Sequence, residues 1–112
     1  MNIQIFGRNK CFDTKKAERY FKERNIKFQF IDLNMKGLSK RELESVIAAV
    51  GLNDLFDTSA KNYEKLNLHK ITNKSIRQEL LLNNPDLYKT PIVRNGRQAT
   101  VGYKPEVWKT WE

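Results

Sequence analysis

The chain reads as an α/β domain built on a mixed sheet, and three observations predict it. The N-terminus runs strand, helix, strand, and a helical crossover makes the two strands parallel partners. A middle stretch of helical periodicity, about residues 39–84, lies between β patterns. Near the C-terminus, Asn95-Gly96 between two β-like runs signals a two-residue hairpin. Parallel pairing from the first unit and antiparallel pairing from the hairpin give a mixed sheet, with a right-handed crossover. At 112 residues one domain is expected, spanning 1–112, with the stretch at about 39–84 as a helical insertion.

Each element has a local cause. Ile3 and Ile5 share one side of a short β pattern, and Gly7 breaks the run. A first helix is expected from about Asp13 or Thr14 to Arg24, with Ala17, Tyr20, Phe21 and Arg24 on one face and Asn25 at its end. Phe28, Phe30 and Ile31 support a second strand within KFQFIDL, followed by a loop around Gly37. Ser39 and Glu42 have capping-box spacing. Leu43, Val46, Ile47 and Val50 then form an apolar stripe that stops at Gly51. Between Leu52 and Leu68 the pattern is less regular and predicts short helical turns. Thr72 or Asn73 caps a further helix to about Asn83, with Ile76, Leu80 and Leu81 inward. Asn84-Pro85 marks its exit. Pro91 begins a strand, Asn95-Gly96 turns it, and Arg97 to Val101 return. Pro105 suits the first position of a short last helix, whose Val107, Trp108 and Trp111 read as packing against the sheet.

Composition excludes several classes. No apolar run approaches the roughly 20 residues needed to span a bilayer. The N-terminus does not read as a signal peptide, and one cysteine cannot form an internal disulfide, so the cytoplasm is the expected compartment. The net charge of +8 invites a nucleic-acid reading. That charge is dispersed through mixed clusters such as KKAERYFKERN and SKRELE, which favours a solvated surface over specific base recognition. His69 stands alone, and no His/Cys/carboxylate cluster predicts a metal site.

Chemistry is proposed only by Met1 to Thr14, MNIQIFGRNKCFDT. Cys11 falls between a strand and a helix, near unpaired backbone N–H groups that favour an anion. Those groups, and the charge of Lys10, lower a thiol pKa; the Asp13 carboxylate opposes them unless it turns away. By residue type alone, Cys11 reads equally as a reactive thiol or a small buried hydrophobe.

The pieces IQIFGRNKCFDTKKAERYF, LNDLFDTSAKNYEKLNL and YKTPIVRNGRQATVGYKPEVW together resemble a thioredoxin-like domain of the arsenate reductase-related family, which includes the Spx-type regulators. The combination of Cys11, Tyr63-Glu64-Lys65-Leu66 and Thr90-Pro91-Ile92-Val93 is the specific part of that resemblance. It implies that Cys11 is the attacking thiol and that Pro91 is a cis-proline facing it, shaping an edge for a peptide or glutathione. A simple turn leading into the strand is the alternative for Pro91. Thr14 reads as a hydrogen-bond donor to the Cys11 sulfur or as a helix cap.

The chain also departs from that family's pattern. Reductases of the family clamp the oxyanion with arginines, whose planar groups make directional contacts. At the corresponding places stand Asp57 or a polar neighbour, Thr90, and Tyr103 or a neighbour; Arg94 and Arg97 are not matches. Poor arsenate turnover is therefore expected. Arg8 and Lys10 are the remaining cations that can draw an anion towards Cys11. The regulators' CxxC is here Cys11-Phe12-Asp13-Thr14, which removes an internal disulfide switch. The expected function is a single-cysteine thiol-dependent oxidoreductase. Cys11 is its nucleophile, with Lys10, Thr14, Thr90 and Pro91 in support. No cofactor is bound, and glutathione, another small thiol or a redox protein resolves the intermediate. The alternatives are a non-enzymatic Spx-like regulator that contacts RNA polymerase, and a family member without catalysis.

Overall fold

The first strand, β1 (Ile3–Gly7), is buried on both faces and lies inside the sheet. The structure is a computed structural model that describes residues 1–111. Its helix α1 (Phe12–Glu23) leads to β2 (Phe28–Asp32), which pairs parallel with β1, Ile5 opposite Phe30. The chain then passes through α2 (Lys40–Val50), α3 (Lys61–Lys65) and α4 (Lys74–Asn83), with 3-10 turns between them. It returns as β3 (Ile92–Asn95) and β4 (Gln98–Val101), followed by α5 (Pro105–Trp108) and a 3-10 turn over Lys109–Trp111. The sheet order is β2-β1-β3-β4, with β3 antiparallel to both β1 and β4. This is the mixed thioredoxin-like sheet that the βαβ start and the late hairpin predict.

Strand alternation divides the core into two layers. Ile3, Ile5 and Val93 point to one face, where Ala17, Tyr20 and Phe21 of α1 and Trp108 of α5 cover them. Phe6 and Ile92 point to the other, against Leu43 and Val46 of α2, Leu81 of α4, and Leu55, Leu68 and Leu87 of the connecting turns. The Trp108 indole N–H donates to the Thr100 hydroxyl at 2.8 Å, so the ring is buried without stranding its polar atom.

The helix caps follow the sequence closely. The Ser39 hydroxyl accepts from the Glu42 amide at 3.1 Å, and the Glu42 carboxylate accepts from the Ser39 amide at 2.8 Å. Asn73, rather than Thr72, caps α4, accepting from the Ile76 amide at 3.0 Å. Asn25 ends α1 in the left-handed region with φ 57°, which asparagine tolerates.

Three local expectations shift. Helix α1 starts earlier than expected: Cys11 itself takes the extended N-cap conformation and Phe12 is the first helical residue. Ile76 is 51% exposed and not inward; Leu81 is the fully buried residue of α4, while Leu80 and Leu82 pack against the core edge. The hairpin loop moves by one residue. Asn95 pairs with Gln98, so Gly96 and Arg97 form the loop. Gly96 has φ 61°, and a glycine at the first loop position is what a type II′ turn requires.

Candidate functional site

Sheet topology brings two distant loops together. Because β3 runs antiparallel to β1, with Ile92 opposite Phe6, the segment entering β3 lies beside the segment leaving β1. Cys11 and Thr90, 79 positions apart, meet there. The Thr90 hydroxyl donates to the Cys11 sulfur at 3.1 Å, and the Thr90 carbonyl lies 3.7 Å from the same sulfur. The Thr90-Pro91 peptide bond is cis and Pro91 is buried.

The Cys11 loop is held by its own backbone. The Cys11 amide donates to the Arg8 carbonyl at 3.0 Å, closing a turn, and the Cys11 carbonyl accepts from the Lys15 amide at 3.3 Å, opening α1. Cys11 is partly exposed. Burial pushes its thiol up, but hydrogen bonds outweigh it. The Thr14 and Thr90 hydroxyls and the Thr14 and Asp13 amides favour the thiolate, and the pKa falls below the ordinary 9.0. Helix N-terminal amides and hydroxyls, not neighbouring charge, account for this shift. Neither the exposed Lys10 nor the Asp13 carboxylate is among its causes.

Thr14 sits fully buried beneath the loop. Its hydroxyl faces the sulfur and also accepts from the Arg8 amide at 3.4 Å. Thr14 is therefore not the helix cap that its position also suggested: Cys11 is the N-cap of α1, without a side-chain cap bond, and the Thr14 hydroxyl serves the sulfur and the Arg8 amide instead. Gly7 makes the room: a Cβ there would collide with Thr14 Cγ2 and stand 2.6 Å from its Oγ1.

Arg8 does not point at an open anion site. Its guanidinium donates to the Pro85 carbonyl at 2.7 Å, to the Tyr88 carbonyl at 3.0 Å and to the Thr90 hydroxyl at 3.5 Å. Sequence reasoning named Arg8 as an anion attractor and missed this tether. No local pattern signals it, because its partners lie 77 to 82 positions away.

Other singled-out residues are engaged elsewhere. Arg94 donates to the Gln4 side chain at 2.7 Å. Tyr103 stands edge-on to Trp108 at 5.6 Å, with the Lys16 ammonium 5.5 Å from its ring centre. The Asp57 carboxylate caps a turn, accepting from the Ser59 amide and hydroxyl at 3.0 and 2.6 Å. Arg97 occupies the exposed hairpin loop, and His69 is exposed. Among the described residues no His/Cys/carboxylate group could hold a metal ion, and no helix is long and apolar enough to cross a membrane.

Known proteins are similar to this chain over most of its length. The uncharacterized protein YusI of Bacillus subtilis is 30% identical over 111 residues, covering 95% of this chain and 94% of its own. The global transcriptional regulator Spx 2 of Oceanobacillus iheyensis is 27% identical over 92% of this chain and 78% of its own. Among solved structures, a putative ArsC family related protein from Bacteroides fragilis superposes with a TM-score of 0.84 at 26% identity, covering 100% of this chain and 98% of that one. The ArsC family profile matches residues 6–111, from the end of β1 through the last helical turn, and the chain belongs to the ArsC family.

Proposed function

We propose that this protein is a single-cysteine thiol-dependent redox protein whose nucleophile is Cys11. The observation that carries this reading is the partly exposed sulfur at the start of α1, hydrogen-bonded by the Thr90 hydroxyl across the sheet, with its pKa lowered from the ordinary thiol value by hydrogen bonds. The Cys11 thiolate attacks one sulfur of a disulfide. The S–S bond breaks, a mixed disulfide with Cys11 forms, and the departing thiolate takes a proton from water. With one cysteine in the chain, an external thiolate must attack the mixed disulfide. It restores the Cys11 thiolate and leaves as a disulfide with the sulfur that Cys11 had captured; a second external thiolate then attacks that disulfide and releases the captured sulfur as a thiol, so that two external thiols are oxidised for each disulfide fully reduced. Glutathione, another small thiol or a redox protein fits that role. The arrangement offers no arginine clamp for an oxyanion: Arg8 is tethered to the protein and Thr90 takes the position before Pro91. Poor arsenate turnover follows.

The test is alkylation rate against pH, followed by intact mass after treatment with glutathione disulfide. A depressed titration and a single glutathione adduct, both lost in Cys11→Ser, are expected. An unreactive thiol with no adduct would overturn the reading. A second reading, an Spx-like module that contacts RNA polymerase, is supported by the similarity to Spx 2 across 92% of this chain. It requires direct binding to purified polymerase, undiminished in Cys11→Ser. No retention in a pull-down at low salt would remove it.

A further inference from the structure

We infer that Arg8 is a positioning residue that directs the Thr90 hydroxyl proton onto the Cys11 sulfur. The inference rests on the reading of Cys11 as a nucleophile and extends it to a group that does not touch the sulfur.

The argument begins with donors and acceptors. A threonine hydroxyl has one proton and two lone pairs, so it can donate only once. Two groups meet Thr90 Oγ1: the Cys11 sulfur at 3.1 Å and the Arg8 guanidinium at 3.5 Å. A guanidinium has no acceptor site. Thr90 can therefore only accept from Arg8, and its single proton is left for the sulfur. A neutral residue with a lone pair in place of Arg8 would offer that proton a second acceptor.

The same side chain fixes where Thr90 stands. Its other bonds, 2.7 Å to the Pro85 carbonyl and 3.0 Å to the Tyr88 carbonyl, hold the segment that delivers Thr90 to the site. One fork thus ties the loop after β1 to the strand approach before Pro91. Arginine's rigid planar fork suits this; lysine, a single ammonium on a flexible stem, cannot span the same set. The charged groups nearest Cys11 in sequence, Lys10 and Asp13, lie on the loop itself and are not among the causes of its lowered pKa, so they are left unchanged in the test.

The experiment measures the pH profile of Cys11 alkylation by iodoacetamide in the wild type, Arg8→Met, Thr90→Val and the double variant, each checked for folding by circular dichroism. Arg8→Met should slow alkylation at neutral pH by about threefold to tenfold and move the profile to higher pH, because the Thr90 bond to the sulfur is weakened without being removed. In the Thr90→Val background, Arg8→Met should add little. The inference is overturned if Arg8→Met alkylates like wild type, or if its slowing is undiminished when Thr90 is already valine. Should Arg8→Met fail to fold, Arg8→Lys carries the same cycle, with a smaller slowing expected that again vanishes in Thr90→Val. The wild-type profile is a separate readout: an unperturbed Cys11 titration defeats the nucleophile reading, whereas the differences between variants judge Arg8.

Discussion

At the scale of single residues, the site depends on a few polar atoms around one sulfur. Because the Cys11 pKa is lowered on folding, the folded state holds fewer protons than the unfolded chain in the window just below the ordinary 9.0. Stability conferred by the thiolate is thus complete above that value and is lost as pH falls through the lowered folded pKa. The stability difference between wild type and Cys11→Ala, from urea unfolding at several pH values, should rise with pH across that window. A flat difference would contradict the hydrogen-bonding account. Gly7 supplies a second prediction. Gly7→Ala forces a Cβ into Thr14 and should cost about 1–3 kcal/mol of stability, measured by denaturant unfolding. Displacing the Thr14 hydroxyl should also slow Cys11 alkylation.

At the scale of elements, the caps and turns were legible because their causes are local. Ser39 and Glu42 satisfy each other three residues apart, so Ser39→Ala should destabilise the fold by about 1 kcal/mol without altering Cys11 reactivity. Thermal unfolding and alkylation together check both halves of that statement. Where local reading slipped, a neighbouring element decided. The hairpin register is set by Asn95 pairing with Gln98, which moves the loop onto Gly96 and Arg97. Ile76 has helical spacing for the core, yet only Leu81 of α4 is fully buried, because the core reaches that helix over a narrow stripe. Cys11 became an N-cap because its backbone is extended while its carbonyl already accepts the first helical bond.

At the scale of the molecule, two apolar layers clamp a four-stranded sheet, and the site lies where the layers' loops meet. Trp108 closes one layer from the C-terminal end. Its full burial and its bond to Thr100 predict that Trp108→Ala costs about 3–5 kcal/mol, measured by urea unfolding. A loss near zero would mean that α5 is not part of the cooperative fold.

The sequence by itself determined the α/β class, the parallel first unit, the hairpin, the caps and the one residue able to act as a thiol nucleophile. These depend on period, spacing and composition within an element or between neighbouring elements of the chain. The resemblance carried the choice of Thr90 and Pro91 as partners of Cys11. Only the tertiary structure decided how they meet. Thr90 comes within 3.1 Å of the sulfur because β3 is antiparallel to β1, and Arg8 turns from solvent towards carbonyls 77 and 80 positions away. No local pattern encodes such contacts. They exist because folding buries both loops together, and their polar groups must then find partners in one another.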